Sequence, residues 1–249
     1  MKWSLGELSF DALTLEKAAQ KVILAAKKRN CTLVVTPNAT MLHTASCDRE
    51  LFALLQGAEL VLPDGAGVIL ASRYLKTPYK PEKVAGVSLG ERVLALAAER
   101  GLSVYFFGGK KGVAARAAKR MKARYPLLIV AGVRSGFDFD SMRLSSEIGA
   151  AAPDIVLCCL GSPLQERVGR MLADLLSCPV LCLGGSLDVY AGDKRRAPRL
   201  FQVLSLEWLW RMLAEPYRFR GISSLFGFSV DVVRLKNEKK SCIRARKGL

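Results

Sequence analysis

The chain reads as an α/β protein, a Rossmann-like parallel sheet flanked by helices, with a helical basic C-terminal appendage. Three observations predict this. Short apolar runs alternate with helical patterns from residue 14 to residue 190, the signature of parallel strands joined by crossover helices. Most of those runs end in glycine-rich or polar turns, where an open parallel sheet forms its ligand crevice. Positive charge is concentrated at the end: residues 194–249 carry fourteen Lys/Arg against four Asp/Glu, a net of +10 out of +16. We therefore divide the chain into an α/β domain, 1–195, expected to carry the ligand crevice, and an arginine-rich appendage, 196–249.

The elements follow in order. Leu15, Ala18, Ala19, Val22, Ile23 and Ala26 mark one helical face between Thr14 and Lys28. Cys31 to Val35 is a strand that runs into Thr36-Pro-Asn-Ala39, with helical patterns from Thr40 and from Asp48. A second strand, Glu59 to Leu62, enters Pro63-Asp-Gly-Ala-Gly67, and Gly67 to Tyr74 reads as helix. Residues 76–87, with two prolines and a glycine, form a loop able to fold over the crevice. Ser88-Leu-Gly-Glu91 is a capping box opening a helix to about Arg100. Val104 to Phe107 leads through Gly108-Gly-Lys-Lys-Gly112 into a basic helix ending at Arg124. Leu127 to Val130 leads through Gly136-Phe-Asp-Phe-Asp140 into a helix through Ala151. Ile155 to Leu160 enters Gly161-Ser-Pro-Leu-Gln-Glu166 and a helix, and Val180 to Leu183 enters Gly184-Gly-Ser-Leu-Asp188. Pro198 suits the first turn of a helix reaching Ala214 and stopped by Pro216. The polar, basic stretch from Lys236 to Leu249 is expected to be frayed or disordered.

Composition narrows the function. At 249 residues and 51% hydrophobic, the chain has ample material for a large core. No apolar stretch approaches the roughly 18 to 20 residues of a membrane-spanning helix. The first residues lack the apolar centre of a secretory signal, so a cytoplasmic protein is expected. Cys31, Cys158, Cys159 and Cys182 fall in apolar runs and read as small buried hydrophobes. No CxxC pair occurs, and the single histidine, His43, reads as a helix-surface residue or one that supports a site from behind. Zinc sites and Ser-His-Asp triads are therefore not supported. The basic C-terminal stretch implies an anionic partner, and its tryptophans, phenylalanines and leucines point to a membrane surface. The part before Pro216 reads equally as a helix packed on the core.

The candidate site lies at the ends of the first two strands. Thr36, Asn38 and Asp64 would bring a hydroxyl, an amide and a carboxylate to one crevice, with Asp64 as the base. Gly108 and Gly109 open a helix whose free N–H groups suit a diphosphate, although a plain strand-to-helix turn fits as well. Asp138-Phe-Asp140 has the form of a metal-holding DxD, but Asp140 reads better as a helix cap, so no metal site is assigned. Gly161 and Gln165 lie at another strand end, and Gln165 can both donate and accept, as sugar hydroxyls require. Glu166 equally suits the first turn of a helix. Gly185 and Asp188 repeat the arrangement, with Asp188 a ligand or a cap.

Several of these motifs recur together elsewhere. Thr36-Pro-Asn-Ala39, Pro63-Asp-Gly65, Lys83-Val-Ala-Gly86, Phe107-Gly-Gly109, Gly136-Phe-Asp138, Gly161-Ser-Pro-Leu-Gln-Glu166, Gly184-Gly-Ser-Leu-Asp188, Arg196-Ala-Pro198, and Leu206-Glu-Trp-Leu-Trp-Arg211 followed by Glu215-Pro216 resemble the WecG/TagA/CpsF glycosyltransferase family. They stand in family order and span nearly the whole chain. The resemblance implies an inverting transfer of an N-acetylmannosamine-type sugar from a UDP donor to undecaprenyl-diphosphate-linked N-acetylglucosamine, in teichoic acid or surface polysaccharide synthesis. It implies Asp64 as base, with Thr36, Asn38 and Gln165 in the same pocket, and an appendage that closes over the site at the membrane. Without a metal, cationic side chains must hold the leaving diphosphate, and Lys83, Arg211, Arg218 and Arg220 are the candidates. The family usually has arginine where Lys83 stands and an acidic residue at Ser88. Lys83 keeps the charge but loses the two-pronged fork. A homo-oligomer is compatible with the sequence, and no nucleic-acid partner is expected. Two other readings are weaker. An NAD(P)-dependent oxidoreductase would need GxGxxG and an acidic ribose anchor, and a basic nucleic-acid-binding protein would need a reading motif; none is present.

Overall fold

The computed structural model describes residues 1–137, 140–198, 200–201, 207–214 and 222–247. A two-stranded antiparallel hairpin comes first, β1 (Lys2–Leu5) and β2 (Leu8–Asp11). The remaining strands make a six-stranded parallel sheet, in the order β4-β3-β8-β7-β5-β6. They are β3 (Thr32–Val35), β4 (Leu60–Val61), β5 (Ser103–Gly108), β6 (Ile129–Arg134), β7 (Ile155–Cys159) and β8 (Pro179–Cys182). The α/β expectation holds.

Side-chain alternation along these strands splits the core in two. Val34, Leu60, Phe106, Leu157 and Leu181 face one layer, formed by α1 (Leu15–Lys27), α5 (Gly86–Glu99), α6 (Val113–Arg124) and α9 (Ser186–Ala191). Leu33, Val35, Val61, Phe107, Val156 and Val180 face the other. That second layer holds the hairpin, α2 (Ala39–Cys47), α3 (Arg49–Gln56), α4 (Ala66–Tyr74), α7 (Ser141–Ala150) and α8 (Leu164–Leu175). Period-two strands carrying apolar residues on both faces are what a sheet covered by helices on both sides requires.

The appendage contributes α10 (Glu207–Ala214) and the long α11 (Ile222–Lys247). Phe228 and Val232 of α11 are buried in the second core layer, beside Ala39, Met41 and Val68. The last helix is thus seated on the α/β body. None of the described helices is long and apolar enough to cross a membrane.

Three sequence expectations need correction. Cys31 is exposed, because the apolar run begins one residue before the first paired residue, Thr32, and its thiol reaches only the Leu176 carbonyl. The Ser88–Glu91 pattern does not open a helix. α5 starts at Gly86, whose amide is held by the Asp64 carboxylate, while Ser88 and Glu91 receive Arg196 and Glu91 also pairs with Arg124. Residues from Lys236 to Lys247 are helical. Lysine, arginine and glutamate are good helix formers, and the basic end suits the negative pole of the helix.

Candidate active site

The crevice is built by the loops that leave β3 and β4, neighbours at one side of the sheet. After β3, Asn38 turns the chain into α2 and caps it: its Oδ1 accepts the Met41 N–H at 3.0 Å. After β4, Asp64 stands ahead of α4, and its own N–H donates to the Pro37 carbonyl at 3.1 Å. The two turns are therefore tied directly together. The third piece is the loop before α5. The Val84 N–H donates to the Pro63 carbonyl at 2.8 Å, and the Gly86 N–H donates to Asp64 Oδ2 at 3.3 Å.

Gly86 is the centre of this arrangement. A Cβ there would lie 3.0 Å from Thr36 Oγ1, so the bare backbone lets the hydroxyl approach the amide that holds the carboxylate. Thr36 is buried, while Asn38 and Asp64 are partly exposed. The amide also belongs to the first residue of α5, whose positive pole favours a carboxylate. A carboxylate so held, beside a hydroxyl and an amide, can orient a hydroxyl nucleophile and take its proton.

The description "Glycosyl transferase WecG/TagA/CpsF family" matches residues 3–241. The chain belongs to that family. Among its relatives is the N-acetylglucosaminyldiphosphoundecaprenol N-acetyl-beta-D-mannosaminyltransferase of Bacillus subtilis (strain 168), 30% identical over 84% of this chain and 82% of the relative. The protein of the same name from Bacillus spizizenii is 34% identical over 84% of this chain and 80% of its own length. That of Staphylococcus aureus (strain NCTC 8325 / PS 47) is 27% identical over 94% and 92%.

In this glycosyltransferase the remaining predicted residues fall into separate groups. Gly108 ends β5 and Gly109 follows it, and Gly161 and Gly184–Gly185 follow β7 and β8, so their turns lie on adjacent strands. The Gly109 N–H donates to the Cys159 carbonyl at 3.1 Å, and the Gly136 N–H to the Gly109 carbonyl at 2.8 Å. Gln165 is buried, and both halves of its amide are used inside the protein: Oε1 accepts the Gly184 N–H at 2.8 Å and Nε2 donates to Glu166 Oε1 at 2.7 Å. It braces the β7 turn against the β8 turn. Glu166 is fully buried in the first turn of α8. Burial pushes its carboxyl above the ordinary value despite the hydrogen bond from Gln165, and its Oε2 finds no partner among the described residues. Asp188, in the first turn of α9, reaches back over Gly185 and lies 3.7 Å from Lys194 Nζ. Asp140 caps α7 by accepting the Arg143 N–H at 3.0 Å, as the cap reading expects.

Lys83 has an internal partner. Its Nζ donates to Glu207 Oε2 of α10 at 2.6 Å, with both side chains about one-fifth exposed (20% and 23%). The sequence contained this pair only as two separate motifs 124 positions apart. Arg211 lies on α10 but its side chain is outside the described set, and Arg218, Arg220 and Asp138 lie outside the described residues altogether. The Gly86 amide was equally unforeseen as the partner of Asp64, although Lys83-Val-Ala-Gly86 placed it nearby.

Proposed function

We propose that this protein transfers an N-acetylmannosamine-type sugar from a UDP donor to undecaprenyl-diphosphate-linked N-acetylglucosamine, with inversion at the anomeric carbon. The observation that carries the reading is the Asp64 carboxylate, gripped by the Gly86 amide beside Thr36 and Asn38. The shared name of the relatives supplies the sugar and the acceptor. Asp64 takes the proton of the acceptor hydroxyl as that oxygen attacks the anomeric carbon and the bond to UDP breaks. Direct displacement by one nucleophile inverts that centre. The turns at Gly108–Gly109, Gly161 and Gly185, neighbours along the sheet, would hold the nucleotide, with Gln165 and Asp188 fixing their shape.

The departing diphosphate gains negative charge and needs cations or N–H donors already in place. We assign this to Lys83, Arg211, Arg218 and Arg220, without a metal. In support, Asp140 of the DxD-like sequence is engaged as a helix cap. Incubation with UDP-N-acetylmannosamine and a short-chain lipid diphosphate–GlcNAc acceptor, with and without chelator, tests donor, acceptor and metal together. Unchanged product with EDTA is expected, and a β-linked disaccharide lipid by NMR. Turnover that stops with EDTA and returns with a divalent cation would refute the metal-free account.

A diphosphate must compete with Glu207 for the charge of Lys83. Glu207→Gln should therefore tighten UDP binding by about fivefold, the equivalent of about 1 kcal/mol for an ion pair that is about one-fifth exposed. Isothermal titration measures this, and an unaltered affinity would remove Lys83 from the diphosphate site.

We place the enzyme at the inner face of the cytoplasmic membrane, attached through its C-terminal segment. Phe226, Val230 and Val233 are 71%, 59% and 46% exposed on the outer face of α11, with Arg234 alongside. An exposed apolar stripe beside basic residues suits an anionic lipid surface. Replacing the three by serine should weaken binding to phosphatidylglycerol-containing vesicles by about a hundredfold, since each buried apolar side chain contributes on the order of 1 kcal/mol and tenfold corresponds to about 1.4 kcal/mol. Full retention in a flotation assay would move the membrane contact elsewhere.

A further inference from the structure

The chain's one histidine, His43, lies on α2, and its ring is built into the seat of α11. His43 Nδ1 is 2.7 Å from Asp231 Oδ2, and Ser46 Oγ, which donates to the His43 carbonyl at 2.7 Å, lies 3.3 Å from the same oxygen. One turn earlier on α11, Gly227 lies flat on the imidazole: a Cβ there would stand 2.2 Å from both Cε1 and Nε2. Beside it, Phe228 is only 6% exposed and reaches the opposite wall, where its Cε1 would be 3.9 Å from a Cβ on Gly67. Gly67 in turn is closed against Ala39, with a Cβ–Cβ distance of 2.9 Å if it carried one.

These contacts have a common target. Ala39 follows Asn38 directly, and Gly67 is three residues past Asp64. One helix from the far end of the chain therefore touches α2 at His43 and Ser46 and the first turn of α4 at Gly67, and Gly67 is itself packed on Ala39 at the start of α2. Farther along the same face, Leu235 covers Gly6, and Lys236 Nζ lies 3.4 Å from the centre of the Tyr74 ring on α4.

Apolar packing by Phe228 and Val232 would tolerate sliding or rotation of α11. The polar pair and the bare glycine would not, because a shift of one residue turns a helix by about 100° and carries Gly227 and Asp231 off the ring together. We propose that Gly227, His43 and Asp231 form a clasp that fixes the register of α11 on α2 and α4. Through Phe228, the clasp holds the Asn38 and Asp64 turns at their working spacing. The three are positioning residues. Their kinetic consequence rests on the transferase reading, whereas the seating of α11 does not.

Gly227→Ala in the full-length chain tests this. Alanine is the better helix former, so a loss cannot come from a weakened helix. The variant should lower kcat about tenfold or more at unchanged donor KM, as small displacements of catalytic groups do. It should also speed amide exchange in the segment 38–42, where Asn38 holds Met41, by about tenfold. Removing the ring makes room for the methyl group but also removes the bond to Asp231, so His43→Ala/Gly227→Ala should recover both losses only to about the level of Asp231→Ala. Asp231→Ala adds no atoms and should change both readouts in the same direction, by about threefold. Unchanged kcat and exchange in Gly227→Ala, or a double variant no better than the single, would overturn the clasp. Should the wild-type chain transfer no sugar, the exchange measurement still decides the seating, and the failure belongs to the transferase reading alone.

Discussion

Asp64→Asn is expected to reduce sugar transfer by about a thousandfold while leaving UDP affinity within about twofold of wild type, because a well-placed general base contributes roughly 10² to 10⁴ in rate. The substitution is nearly isosteric. An asparagine oxygen can still accept the Gly86 N–H, which Asp64 Oδ2 accepts at 3.3 Å, so the loop before α5 keeps its anchor. The bond from residue 64 N–H to the Pro37 carbonyl involves only backbone and is untouched. What is lost is the capacity to take a proton. Single-turnover transfer measured beside UDP titration separates the chemistry from binding. A variant retaining more than a tenth of wild-type turnover would remove Asp64 from proton transfer. Thr36→Val provides the contrast: Thr36 Oγ1 sits against Gly86, so this change affects how the carboxylate is presented and should cost less than the Asn substitution.

The sheet was legible because its strands leave little choice. Leu33 and Val35 pack to one side and Val34 to the other, and the helices between carry one buried face each, as α1 does with Ala18, Val22 and Ala26. The Thr36, Asn38 and Asp64 turns were legible for the same reason, since each directly follows a strand end. What could not be read was the partner of each polar group across long separations. Glu207 and Lys83 are 124 positions apart, Asp231 and His43 188, and no local pattern encodes such pairs. Local rules also misled where tertiary bonds outranked them. Ser88 and Glu91 matched a capping box, but Asp64 supplies the bond that starts α5 two residues earlier. The helical C-terminal stretch was missed because its polarity argues for disorder while its helix propensity argues the reverse. The inward pattern Gly227, Phe228, Asp231, Val232 and Leu235 was present in the sequence at helical spacing. The apolar outward residues beside it hid it, because both faces of α11 carry large side chains.

The largest expected loss of stability comes from Gly108→Ala at the end of β5. Gly108 has φ +135°, a conformation that residues with a Cβ rarely adopt, and a Cβ there would stand 2.2 Å from the Cys159 carbonyl oxygen. That oxygen cannot move aside freely, because it already accepts the Gly109 N–H at 3.1 Å, and Gly109 in turn receives the Gly136 N–H. Backbone strain of about 1–3 kcal/mol and overpacking of about the same size add to an expected loss of about 3–5 kcal/mol. Gly101→Ala is the matched control. Gly101 also has positive φ, +65°, but nothing lies within 4 Å of its Cβ direction, so it should lose only about 1–2 kcal/mol of conformational strain. Urea denaturation of both variants distinguishes the contributions. Equal losses would mean that backbone conformation dominates and that the close approach of β5 to β7 is readily relaxed. A larger loss at Gly108 would show that the turn is fixed by its neighbours before any ligand arrives. Because the same turn is assigned to the nucleotide, Gly108→Ala should also weaken UDP binding at temperatures where the variant remains folded. Gly101→Ala, at the opposite end of β5, should leave that binding unchanged.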